Sequence, residues 1–113
     1  MDARLPTHIE VSGLIRAVES EGGFAMVIRK GERDAGAFLV VIAERGGNSR
    51  VYERVPQLDG PRIWMLAKAQ TAEDNGEFSD YLNRRLQRDP DLWALELDIA
   101  NGERFIGLPH FAG

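Results

Sequence analysis

Apolar residues recur along the chain at two spacings, and the changes of spacing mark its elements. Val11, Leu14, Ile15 and Val18 share one face of a 3.6-residue period, with Glu10, Arg16, Glu19 and Ser20 opposite. That pattern predicts an amphipathic helix from about His8 to Glu21. Thr7 followed by Glu10 fits a capping box at its start, and Gly22-Gly23 offers a left-handed stop. From Phe24 the period falls to two. Phe24 to Lys30, Ala37 to Glu44, Arg50 to Val55 and Arg62 to Lys68 read as strands. The second of these, AFLVVIAE, is apolar on both faces, which predicts a central strand covered on each side. The connections Gly31–Gly36, Arg45–Ser49 and Pro56–Pro61 are short, polar and rich in turn residues, so the four strands are expected to form an antiparallel meander.

Helical spacing returns at Thr71 to Arg88, where Phe78, Tyr81, Leu82 and Leu86 make one face and Arg84, Arg85 and Arg88 crowd the second half. Pro90 ends it. Leu92 to Ile99 then alternates Trp93, Leu95, Leu97 and Ile99 as a fifth strand. The tail from Ala100 carries Phe105, Ile106, Leu108 and Phe111, too apolar to float freely, and is expected to pack on the domain or on a partner. The order α-β-β-β-β-α-β predicts an α+β fold: an antiparallel sheet of about five strands with two helices packed on one face. No repeat, low-complexity tract or linker divides it, and 113 residues suit a single domain.

Composition narrows the chemistry. With 43% apolar and 28% charged residues the chain has globular proportions, and its net charge of −4 argues against a dedicated nucleic-acid binder. The absence of cysteine removes disulfides, thiolate metal sites and cysteine nucleophiles together. No apolar run follows the charges of MDARLPTHIE, and the longest, Ala37 to Ala43, is far short of the ~20 residues that span a bilayer. A cytoplasmic protein is the expectation, with no membrane association.

The run RLPTHIEVSGLIRAVESEGGFAMVIRKGERDAGAFLVVIAERGG, with VYERVPQLDG, DPDLWALELDI and ERFIG after it, resembles a small family of alphaproteobacterial proteins known as a domain of unknown function, family 1491. The likeness runs nearly end to end. Its most particular pieces are Arg4-Leu5-Pro6, Gly22-Gly23-Phe24, Lys30-Gly31 with Asp34-Ala35-Gly36, and Tyr52-Glu53-Arg54. The resemblance implies a single-domain cytoplasmic bacterial protein and brings no activity, ligand or catalytic residue.

Candidate chemistry is sparse. His8 and His110 lie at opposite ends without a metal-ligand spacing, and no cofactor or metal is expected. Lys30 to Gly36 has glycines and cations after a strand, but its lysine precedes the glycines' cradle and another strand follows, so it reads as a solvated hairpin loop rather than a P-loop. None of the serines sits in a G-x-S-x-G elbow. Glu44 and Glu53 could approach across a hairpin, although neighbouring arginines such as Arg45 or Arg54 make better partners than a substrate would. Arg84, Arg85 and Arg88 could dock an acidic partner or simply form a solvated face.

Twelve of the fourteen cations are arginine, and the stretch from Arg29 to Arg62 holds seven cations against five anions. Arg50, Tyr52 and Arg54 share one face of a strand, with Trp64 on the next and Arg29 nearby. Arginines and aromatics on a sheet can stack on bases and hold phosphates, and the same pattern describes a polar outer face with cross-strand contacts. Three readings follow. The first is a non-catalytic module that binds another protein or itself through a sheet edge or the apolar tail. The second is an RNA or single-stranded nucleic-acid binder using Arg29, Arg50, Tyr52, Arg54 and Trp64. The third is a small enzyme with an arginine and carboxylate site around the loops Lys30–Gly36 and Pro56–Pro61.

Overall fold

The computed structural model describes residues 5–34 and 36–109. Helix α1 (Thr7–Ser20) leads into strands β1 (Phe24–Arg29), β2 (Phe38–Glu44), β3 (Gly47–Gln57) and β4 (Gly60–Ala69). Helix α2 (Glu77–Arg88), strand β5 (Trp93–Asp98) and a 3₁₀ turn over Gly102–Ile106 complete the order. The five strands form one sheet in the order β1-β5-β2-β3-β4. The α+β class, the five strands and the two helices are as the periodicities predict. None of the described helices is long and apolar enough to cross a membrane.

Three details differ from expectation, each for a physical reason. First, β5 lies between β1 and β2, antiparallel to β1 and parallel to β2, so the sheet is mixed and the meander comprises only β2, β3 and β4. The described residues between β1 and β2 therefore cross over the start of β5 and do not make a hairpin, although Glu32, Arg33 and Asp34 are exposed as a solvated loop requires. Glu32 N–H donates to Asp91 O at 2.9 Å, and Trp93 Nε1–H donates to Glu32 O at 2.7 Å. A Cβ at Gly31 would collide with Asp91 O. The glycine serves close backbone approach to β5.

Second, the helices cover opposite faces. Val11 and Val18 of α1 pack with Phe38, Val40, Ile42, Tyr52, Leu95 and Leu97, whereas Phe78 of α2 packs with Leu39, Val41, Val51 and Ala94. Alternate residues of β2 thus point into two cores. A strand apolar on both sides needs a cover on both.

Third, the start of α1 is capped otherwise than predicted, and α2 begins later than predicted. The capping box does not form: Pro6 precedes the helix, Thr7 Oγ1 donates to Gly36 O at 2.5 Å, and the carbonyls of Asp34 and Arg33 take the N–H groups of Thr7 and His8. The crossover thereby satisfies donors that the helix start leaves orphaned. Helix α2 begins at Glu77 rather than Thr71, because the Asp74 carboxylate accepts N–H bonds from Glu77 (2.7 Å) and Phe78 (3.3 Å). Burial raises the Asp74 carboxyl, but the bonds from Gln70 and these backbone donors outweigh it and hold it below the usual carboxylate range. The β2–β3 turn is the two residues Arg45 (φ 53°) and Gly46 (φ 77°), whose N–H groups both bond to the Asp98 carboxylate.

The tail folds back on its own chain. Phe105, Ile106 and Leu108 pack against the α1-side core, while Phe111 and His110 lie outside the described residues.

Candidate functional site

The period of two on β3 sends Arg50, Tyr52 and Arg54 to the same side of the sheet, which is the α1 side. That face is roofed by α1 and the 3₁₀ turn, and the three side chains meet different surroundings beneath them. Arg50 is 1% exposed and Glu103, from the 3₁₀ turn, 0%. Arg50 Nε and Nη2 donate to the two Glu103 oxygens, each at 2.8 Å. Tyr52 OH donates to Glu103 Oε2 at 2.8 Å, and Arg50 Nη1 donates to Asn48 O at 2.7 Å. Glu44 adds a second carboxylate 3.7 Å from Arg50 Nη1. Burial alone would raise the Glu103 carboxyl, but the hydrogen bonds from Arg50 and Tyr52 prevail and hold it below the usual range. Burial, followed by its bond to the Glu103 carboxylate, pushes the Tyr52 phenol up to about 12. The turn can come this close because Gly102 carries no side chain: a Cβ there would lie 2.6 Å from Ile42 Cγ2. Chemically this is a sealed pin that fastens the C-terminal turn to the sheet.

Four residues further along β3, Arg54 reaches a more open place. Its Nη1 donates to Glu10 Oε2 at 2.8 Å and its Nη2 to Glu10 Oε1 at 3.3 Å. The guanidinium lies 4.7 Å from the Phe38 ring centre and 5.3 Å from that of Trp64. The two rings themselves meet edge to face at 5.3 Å. Arginine over aromatic faces is favourable. Above this pair runs a groove of about 480 Å³, walled by Gly13, Leu14 and Ala17 of α1 on one side and Trp64, Phe105 and Ile106 on the other. Leu5 and Ile9 stand exposed at its rim.

Of the sequence-predicted residues, Arg54 and Trp64 come together at this groove, and Arg50 and Tyr52 lie enclosed beside it. Arg29 stands apart on β1. It clamps the end of α2, donating to the carbonyls of Leu92 (Nε, 3.1 Å), Leu86 (Nη1, 2.5 Å) and Asp89. Glu44 and Glu53 point to opposite sides of the sheet and do not meet. Glu53 instead accepts from Tyr81 OH (3.0 Å) and Arg85 Nε (2.9 Å) on the α2 side. Burial and that bond raise the Tyr81 phenol. His8 Nδ1 sits 3.1 Å from Arg33 O. Among the described residues no group of three or more His, Asp or Glu side chains is placed to hold a metal. Sequence reasoning picked out Phe105 for packing but missed Glu10, Phe38 and Glu103 as site residues. Glu10 and Phe38 carried a helix-face and a strand-core signal, and Glu103 carried none.

The sheet ends at two edges of different character. β4 pairs only with β3, and its Ile63 (43% exposed) and Met65 (50%) stand on the α2 side while Leu66 (45%) stands on the α1 side. At the opposite edge, Phe24 and Met26 of β1 are exposed on the α2 side, but Ala25 and Val27 on the other are packed against the α1-side core. Among the described residues, β4 is the edge with exposed large apolar side chains on both faces.

The sequence pattern of the family described as "Protein of unknown function (DUF1491)" matches residues 5–107. A DUF1491 family protein from Caulobacter crescentus, solved by crystallography, is 35% identical with a TM-score of 0.79, covering 94% of this chain and 98% of that one. An NMR structure of a DUF1491 family protein from the same organism is 36% identical, with a TM-score of 0.79 and coverage of 96% and 97%. A solution structure of a protein from A. tumefaciens is 30% identical, with a TM-score of 0.75 and coverage of 94% and 95%. Among curated proteins none matches the chain. The chain belongs to the DUF1491 family, with relatives in Caulobacter and Agrobacterium.

Proposed function

We propose that this member of the DUF1491 family is a cytoplasmic, non-catalytic interaction module that self-associates by pairing the β4 edges of two copies. One observation carries the reading: Ile63, Met65 and Leu66 are exposed on both faces of one open edge. An added strand covers both faces at once, whereas a ligand lying on one face covers only one. The apolar run is bounded by Arg62 on one side and Lys68 on the other, charges that discourage indefinite edge pairing. Antiparallel pairing about a two-fold axis sets Ile63 of each copy beside Met65 of the other without bringing Arg62 against the second copy's Lys68. That is the self-complementarity an isologous contact needs. An RNA-binding reading has less support, since Arg50 and Tyr52 are enclosed and the net charge is −4.

Light scattering coupled to size-exclusion chromatography tests it. The wild-type chain should run as a dimer at tens of micromolar, and Met65→Lys should run as a monomer with an unchanged circular-dichroism spectrum. Phe24→Lys at the other edge should leave the dimer intact. A monomeric wild-type chain, or a dimer indifferent to Met65→Lys, overturns the proposal.

A further inference from the structure

The groove between α1 and Trp64 lies on the α1 side of the sheet and offers a recognition chemistry of its own. Its walls are apolar, and its polar floor is one ion pair, Arg54 with Glu10. A guanidinium has five N–H donors and a carboxylate about four acceptor sites. Glu10 and Arg54 exchange two hydrogen bonds, one of them long at 3.3 Å. Among the described residues no further hydrogen bond to Arg54 is made, so donors and acceptors remain side by side at the base of an apolar cleft. A free carboxylate ligand would bring a second anion beside Glu10, and an amine would bring a second cation beside Arg54. A neutral amide suits both: its C=O accepts from Arg54 and its N–H donates to Glu10.

The helix wall supports the same reading. Gly13 lies inside α1, where glycine costs about 0.5–1 kcal/mol relative to alanine. A Cβ on Gly13 would meet nothing within 4 Å. No internal packing explains the glycine, while its absence of side chain, with Ala17 one turn on, widens the groove opposite Trp64 and Phe105.

We infer that this groove binds an apolar peptide segment, with one large side chain inserted between α1 and Trp64 and a flanking backbone amide bonded to Arg54 and Glu10. The volume of about 480 Å³ lies within the range of ordinary ligand pockets and is ample for one aromatic side chain and its amides.

The test is a titration of the wild-type chain with N-acetyl-phenylalaninamide and, separately, N-acetyl-phenylalanine as its carboxylate. It is followed by the ¹H–¹⁵N signals of Arg54 Nε–H and the Trp64 indole. The amide should bind about tenfold more tightly than the carboxylate, which has one amide fewer and brings a second anion beside Glu10. Ala17→Trp, on an exposed helix position, should abolish the shifts while leaving the thermal midpoint near that of the wild type. Glu10→Gln should bring the two affinities together. Equal or tighter binding of the carboxylate, no shift at Arg54 and Trp64 with either probe at millimolar concentration, or undiminished binding by a folded Ala17→Trp chain would each overturn the inference.

Discussion

Arg50 and Arg54 sit four residues apart on one strand, face the same side of the sheet, and each bonds to a glutamate from an element packed over it. Arg50 and Glu103 are sealed: Tyr52 gives Glu103 a second donor, and the Asn48 carbonyl and Glu44 also hold Arg50. Arg54 and Glu10 are not sealed: the Arg54 guanidinium lies against two aromatic rings, and the pair lines a groove. The difference lies in the roof. Gly102 lets the 3₁₀ turn descend onto Ile42 and close the first pair, whereas Gly13 and Ala17 hold the α1 wall back from the second. The same residue type is a structural pin in one place and an available hydrogen-bonding surface in the other, and local side-chain volume decides which.

Removing one partner of each pair breaks the comparison most visibly. Glu103→Ala leaves Arg50 buried without its carboxylate and should cost about 3–5 kcal/mol. Glu10→Ala removes a less buried pair whose arginine still faces a groove, and should cost less, about 1.5–3 kcal/mol. Urea unfolding of the two variants measures both. A combined Arg50→Met, Tyr52→Phe, Glu103→Leu chain should recover most of the loss, because removing a buried network whole is cheaper than halving it.

Alkaline and acid titration sharpen the contrast. The Tyr52 phenol is raised from 10 to about 12 in the folded chain. Its neutral form is therefore favoured by folding, and that stability is fully present below pH 10 and lost as pH rises toward about 12. Tyr52→Phe should remove this alkaline step from the unfolding free energy. Glu103, held below its ordinary 4.5, contributes in the opposite sense: its share is present above that value and lost as pH falls through the lowered one. Neither step should change in Glu10→Gln. The smallest expected effect is a gain, since Gly13→Ala should stabilise the chain by about 0.5–1 kcal/mol while narrowing the groove. Thermal unfolding checks the first part and the amide titration the second.

Much of this architecture is readable from spacing alone. The two-sided apolar character of β2 already demands covers on both faces, and in that respect it is a better guide than the general habit of α+β folds to keep helices on one side. Strand order is not readable in the same way. β2 and β5 pair in parallel across about fifty residues of intervening chain, with Phe38 opposite Trp93. Short loops between successive strands argue only for the local neighbour, so they hide such a partner. Arg54 and Trp64 stand out by residue type and strand period. Glu103 does not, because a single carboxylate in an irregular apolar tail has no periodicity, and only the fold reveals that it lies over Arg50. The burial of Arg50 follows from that same turn, which is why a strand face that reads as polar is in fact interior.

The most direct test of the contrast between the two arginines is solvent exchange at their Nε–H groups, followed by ¹H–¹⁵N spectroscopy with and without N-acetyl-phenylalaninamide. Arg50 Nε–H, bonded to Glu103 at 2.8 Å beneath the 3₁₀ turn, should exchange slowly and ignore the amide. Arg54 Nε–H should exchange far faster and slow down as the amide binds. Equal protection of the two, or an Arg54 signal that the amide leaves untouched, would contradict the account.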